Sequence, residues 1–378
     1  MSRLRKGLTT GFCAAAAAKA ATTALLGGEL LAEVELPTRD GQLHRVAISD
    51  HRLQDGQASC SVTKDAGDDP DVTNGMKVFA TVSRRTDGIE IDGGEGIGRV
   101  TKPGLKVAVG EAAINPVPRQ MIEAAIRQAC QELGYSGGIR AVISMPGGEL
   151  VAERTMNARL GVIGGLSILG TSGIVEPMSD QALVDTIKAE IDVTLASGQD
   201  GLLMMPGNYG RDFARDELKL DVQQAVRFSN FVGEALDHAV AAGARSITLV
   251  GHAGKLVKLA GGIMNTHSRQ ADCRMEIIAA HSALLGADPG LIRRIMSAVS
   301  TEAAIDLLDE AGLNEAVWSS IGERIAFHLG QRTGGRIDMQ VIVFTQEHGV
   351  LLRTALAARE TAQKTAQKTV DKTDERQK

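Results

Sequence analysis

After Gly137-Gly138 the chain settles into a rhythm that few folds accommodate: a short apolar run, a turn, an amphipathic stretch, then the pattern again. "IRAVISMPGG" and "VIGGLSILGTSG" read as buried strands, and "SDQALVDTIKAEIDVTLASG" as a helix capped by Ser179 or Asp180. "GLLMMPG" and "SITLVGHAG" are further strands around the helix "SNFVGEALDHAVAAG", and "RIDMQVIVFT" closes the series. Strands that alternate with helices need crossover connections, which implies a mostly parallel sheet flanked by helices. Residues 137–352 are therefore expected to form a Rossmann-like α/β domain, with ligands held beyond the carboxyl ends of its strands.

Upstream the pattern differs. Thr9 or Thr10 caps an alanine-rich helix, "TTGFCAAAAAKAA", which Gly27-Gly28 stops. Strand-like alternation follows in "ELLAEVELP", "HRVAIS", "QASCSVTK", "KVFATVSRR" and "GIEID", and "PRQMIEAAIRQACQELG" has helical periodicity. Residues 1–136 thus read as an α+β domain. Residues 353–378, polar and nearly repeating TAQK, read as a disordered tail.

The opening basic residues and alanines imitate a secretion signal, but alanine is weakly apolar and Lys19 interrupts the run. A helix of small side chains instead lets neighbours approach closely, and its N-terminus favours an anion. Cys13 there is expected to be a small packed residue. The four cysteines are scattered without a CxxC pair, so zinc ligation and a disulfide framework are poor readings and a reducing cytoplasm fits. Aromatic residues make up only 3% and net charge is −5, which argues against nucleic-acid binding. No apolar run reaches the length of a membrane helix.

Forty-three glycines point to sites built from loops and main chain. Three glycine turns follow apolar runs: Leu169 to Gly173, Met205 to Gly210, and Val250 to Lys255. Placed at one edge of one sheet, they suit a nucleotide-like ligand, with Gly170, Thr171, Ser172, Gly173, Gly207, Asn208 and Gly251 against the cofactor. His252, at a strand end between glycines, is either a general base or a hydrogen-bond partner of the cofactor. "GHAGKL" has two residues between its glycines where a Walker loop needs four, so an ATP-using phosphotransferase is a weak rival. "DGGEGIGRVTKPG" has the wrong spacing for a dinucleotide loop, and the aspartates of "KDAGDDPDVTNG" read as turn builders before a metal site.

Substrate contacts are expected from Thr9, Thr10, Lys102, Asn115, Arg119, Lys255, Asn265, Thr266 and His267. Arg119 lies in a first helical turn, where a cation opposes the helix dipole unless an anion is nearby. Asn265 to His267 belong to a polar loop after Gly261-Gly262.

Taken in order from Arg5 to Thr345, "TTGFCAAAAAKAA", "DAGDDPDVTNG", "GGEGIGRVTKPGL", "AAINPVPRQMI", "MPGGELVAERTMNARLGVIGGLSILGTSGIVEPMS", "FSNFVGEALDHA" and "VGHAGKLVKLAGGIMNTHS" form a specific set. With it the chain resembles the cobalt-precorrin-5B C1-methyltransferases of anaerobic cobalamin biosynthesis. The resemblance implies methyl transfer from S-adenosylmethionine to C1 of a cobalt-containing tetrapyrrole, giving cobalt-precorrin-6A. It implies no protein-held metal, since the cobalt belongs to the substrate. The rival of another class is a non-catalytic tetrapyrrole carrier. Self-association into a homo-oligomer is left open.

Overall fold

Thr9 opens the first helix, Thr10–Gly27, by accepting the Phe12 N–H on its hydroxyl at 3.2 Å. Gly28 closes it in the left-handed region at φ 73°, its N–H returning to the Ala24 carbonyl. Every residue from Thr10 to Leu25 is buried, the condition of a helix surrounded by protein. Methyl-sized side chains let it lie against the helix Pro116–Glu132 and the strands Gln57–Thr63 and Lys77–Arg85. Lys19 threads through this packing to place its ammonium 3.6 Å from Glu132.

A computed structural model describes residues 4–358, which divide into two compact units between Asp180 and Gln181. In the first, a five-stranded sheet runs in the order Ser49–Gln54, Gln57–Thr63, Lys77–Arg85, Gly138–Ser144, Ile89–Gly93. Gly138–Ser144 is antiparallel to Lys77–Arg85 and parallel to Ile89–Gly93. Its Ile139, Ala141 and Ile143 are fully buried in the core that also covers the alanine helix.

The expected domain boundary at 136/137 therefore differs from the structure, because that strand completes the first sheet. The stretch "VIGGLSILGTSG" likewise forms no strand of the second sheet. Val162–Ile163 pairs with Arg99–Val100, and Ile174–Val175 pairs with Gly7–Leu8, all within the first unit.

The second unit holds a mixed sheet in the order Val226–Arg227, Gly201–Met205, Ser246–His252, Asp338–Thr345, Gly349–Leu356. The first four strands are parallel, and the last is an antiparallel edge. Alternate residues serve opposite faces. Ile247, Leu249, Val341 and Val343 enter the main core with Val317, Ile321, Ile325 and Leu329 of the helix Asn314–Thr333. Val250, Ile342 and Phe344 enter a smaller core, where Phe344 stacks on Phe213 of the helix Asn208–Asp216 at 3.8 Å. With apolar cover on both faces, the parallel strands read as near-continuous hydrophobic runs.

The edge strand continues to Leu356, so 353–356 are not the start of a tail; residues 359–378 of the expected tail lie outside the described residues. Among the described residues no helix is long and apolar enough to cross a membrane.

Candidate functional site

Three neighbouring parallel strands of the second unit, Val226–Arg227, Gly201–Met205 and Ser246–His252, end on one edge. The chain leaving each end lines a single cavity of about 500 Å³ through Asn230, through Pro206 and Gly207, and through Gly254 and Lys255. Gly207 precedes the helix Asn208–Asp216 without any side-chain cap. A Cβ built on Gly207 meets nothing within 4 Å, so the backbone faces open space.

His252 caps the short turn that follows its strand: Nδ1 accepts the Gly254 N–H at 3.2 Å, and Nε2 lies 3.1 Å from Glu302. An Nδ1 that accepts carries no proton, so Nε2 bears it and donates to the carboxylate. His252 is thus an oriented imidazole, and a proton can reach Nδ1 only when the ring leaves the Gly254 amide. The ring edge also rests on Phe344 at 5.8 Å.

The basic groups of the cavity differ in how they are compensated. Arg274 is held in a two-pronged pair by Asp272, at 2.6 and 3.0 Å, which raises the arginine and lowers the aspartate. Lys258 is buried and donates to the carbonyls of Thr266 and Ala271, pinning the polar loop. Lys255 meets only neutral oxygens, Asn230 Oδ1 at 2.9 Å and the Ser229 carbonyl at 3.3 Å. Burial, then the neighbouring Lys258, pushes its ammonium below the usual lysine range. Ser229 and Cys273 beside these lysines are non-glycines in the left-handed region, at φ 53° and 52°.

Gly207, His252, Lys255, Thr266 and His267 therefore converge on one cavity, as cofactor and substrate candidates together. Asn208 is exposed beside it. Gly251 points elsewhere: a Cβ there falls 2.7 Å from Leu256, inside the core. Asn265 turns onto its own loop, accepting the His267 N–H at 3.0 Å.

The remaining candidates belong to the first unit. Gly170, Thr171, Ser172 and Gly173 follow no strand of the second sheet; their turn packs on the start of the alanine helix in the first unit. Thr9 N–H donates to the Gly173 carbonyl and Gly11 N–H to the Leu169 carbonyl, both at 3.0 Å. Thr10 Oγ1 bonds Leu169 at N–H and carbonyl. Thr9 and Thr10 are 5% and 3% exposed, so protein oxygens occupy the place expected for an anion. Arg119 donates to the Ile91 carbonyl at 2.7 Å, which supplies a partner for its unfavourable helical position. Asn115 and Lys102 are exposed.

Sequence reasoning passed over Thr301 and Glu302, which line the cavity at the first turn of the helix Thr301–Glu310. The only local signal is the cap Ser300, a residue common at helix starts. Among the described residues no group of three His, Cys, Asp or Glu is placed to hold a metal ion.

The fold and site define a mixed α/β protein of two units, with a polar cavity at the carboxyl edge of its parallel strands. Residues 1–177 match the family model described as CbiD, and residues 265–355 match that described as CbiD, C-terminal domain. The chain is 52% identical to the cobalt-precorrin-5B C(1)-methyltransferase of Ruminiclostridium cellulolyticum, covering 91% of this chain and 89% of that protein. It is 44% identical to the protein of the same name from Alkaliphilus metalliredigens, covering 94% of each. A crystal structure of a cobalamin biosynthesis protein (cbiD) from Archaeoglobus fulgidus is 32% identical, covering 72% of this chain and 84% of that one, with a TM-score of 0.39. The chain belongs to the CbiD family, as the ordered motifs imply.

Proposed function

We propose that this protein transfers the methyl group of S-adenosylmethionine to C1 of cobalt-precorrin-5B, giving cobalt-precorrin-6A in anaerobic corrin synthesis. The observation that carries the reading is the near full-length identity with the methyltransferase of Ruminiclostridium cellulolyticum. A cytoplasmic setting, a tetrapyrrole as the binding partner and a Rossmann-like second unit belong to the same proposal. Cobalt enters with the substrate, so no protein-held metal is part of it.

The residues of the cavity in the second unit fit the methyl donor. Its volume of about 500 Å³ lies within the about 300–1,000 Å³ typical of small-ligand sites. Thr301 Oγ1 is buried there without a hydrogen-bond partner, which a polar ligand would remedy. When bound, the donor supplies a methyl carbon already activated on a sulfonium.

The chain's own residues then orient and shield. Gly207, with Asn208 and the uncapped amides after it, offers N–H groups to the donor, and Lys255 a cation. Thr266 and His267, expected on the tetrapyrrole, share this cavity and are placed on the donor side of the proposal. Lys102 and Asn115, exposed in the first unit, remain the proposed partners of substrate carboxylates. Holding carbon, methyl and sulfur in line is the main contribution asked of the protein. His252 is the candidate acceptor of the proton lost from the ring, through an Nδ1 that leaves the Gly254 amide.

Anaerobic incubation with cobalt-precorrin-5B and methyl-labelled S-adenosylmethionine tests the reading. Label at ring C1 is expected; no label, or equal label without the protein, overturns it.

A further inference from the structure

The cavity of the second unit brings together a lysine with no carboxylate partner, a carboxylate paired with a histidine, and one orphaned hydroxyl. Lys255 is the cation, because its ammonium meets only the neutral oxygens of Ser229 and Asn230, whereas Lys258 and Arg274 share Asp272 at 3.8 and 2.6 Å. Glu302 is the anion: its carboxylate meets the His252 Nε2 at 3.1 Å, and the nearby Arg274 is engaged by Asp272. Thr301, 1% exposed, has its Oγ1 without any partner. That oxygen is 3.4 Å from the position a Gly254 Cβ would take, where His252 Nδ1 and Arg274 Nη1 also converge, at 3.5 and 3.8 Å. Lys255, Glu302, Thr301, His252, Gly254 and Arg274 all line the cavity.

An anion satisfies only Lys255, and a cation only Glu302. A zwitterion satisfies both, and its ammonium has a donor to spare for a buried hydroxyl oxygen. The open Gly207 backbone at the uncapped start of the helix Asn208–Asp216 adds to the anion side.

We infer that this cavity recognises the free amino-acid end of its ligand, with Lys255 taking the carboxylate and Glu302 and Thr301 Oγ1 taking the ammonium. The inference rests on the donor reading above and deepens it, because S-adenosylmethionine carries such an end. It assigns Thr301 and Glu302 a binding role that the catalytic proposal does not require.

Calorimetric titration of the full chain with S-adenosylhomocysteine and with 5′-methylthioadenosine, which lacks the amino-acid end, tests it without turnover. The parent is expected to bind the former more tightly. Thr301→Val, Glu302→Gln and Lys255→Met each weaken S-adenosylhomocysteine about tenfold or more and leave 5′-methylthioadenosine unchanged, while Thr301→Ser retains parent affinity. Unchanged affinities, or equal weakening of both ligands, overturn the inference. So does a parent that binds neither ligand, and the label-transfer assay then decides whether the donor reading falls with it. Melting temperatures of the variants and the 5′-methylthioadenosine arm together identify a variant that has lost its fold.

Discussion

Gly170 lies so close to Thr9 that a Cβ built on it falls 2.3 Å from Thr9 Cβ. It also sits at φ 119°, outside the region that side-chain-bearing residues favour. Gly170→Ala is therefore expected to destabilise the protein by about 2–4 kcal/mol through strain and overpacking. Gly207→Ala, in extended backbone with open space around its Cβ, changes stability by about 0.5 kcal/mol or less. Urea midpoints of the two variants measure the contrast. Equal midpoints would remove the distinction between a packing glycine and a ligand-facing one.

That distinction explains much of what the sequence conveyed. The helices Thr10–Gly27 and Pro116–Glu132 were legible because caps, glycine stops and periodicity are local. Gly138–Ser144 was legible as a strand, but its partners Lys77–Arg85 and Ile89–Gly93 were not. Side-chain alternation identifies a buried face without saying which strand lies alongside. Glycines at 170, 173 and 251 look in sequence like the one at 207. Only the neighbours show that three of them yield space to Thr9, Phe12 and Leu256. Thr301 and Glu302 were hidden for the opposite reason, being ordinary first-turn residues until the fold sets them against His252 and Gly254.

Arg5 grips Asp65 through both terminal nitrogens, which anchors the first described residues. The guanidinium holds the Asp65 carboxyl down to about 2, against about 3.9 for a free aspartate. A depressed carboxyl contributes stability above the unfolded value and loses it as pH falls through the folded one. Asp65→Asn is thus expected to cost up to about 1 kcal/mol at pH 7, the pair being exposed. The difference from the parent shrinks below pH 4 and vanishes near pH 2. Denaturation across that range measures it, and a pH-independent difference would show that charge is not the cause.

Cys13 is fully buried, and burial pushes its thiol up to about 12; Cys60, also buried, rises to about 11. Neither forms thiolate near neutral pH in the folded chain, whereas Cys273 is exposed. Iodoacetamide at pH 8 is expected to label Cys273 within minutes and the other two only in denaturant, as peptide mass mapping will report. Cys13→Ala is expected to retain turnover and to lose about 1 kcal/mol of stability from a small void. Rapid labelling of Cys13 in the native protein would contradict its role as a packed residue.

The His252 imidazole joins two tasks that one substitution separates. As a cap it accepts the Gly254 N–H; as a base it must give up that bond to take a proton at Nδ1. Asparagine offers an oxygen suited to the cap but no basic nitrogen. His252→Asn is therefore expected to keep its unfolding free energy, measured in urea, within about 0.5 kcal/mol of the parent, while methyl transfer slows about 100-fold. His252→Ala loses both the cap, about 1 kcal/mol, and the base. Unchanged transfer rates in His252→Asn would reduce the residue to a cap, and the ring proton would have to leave through another group or through water.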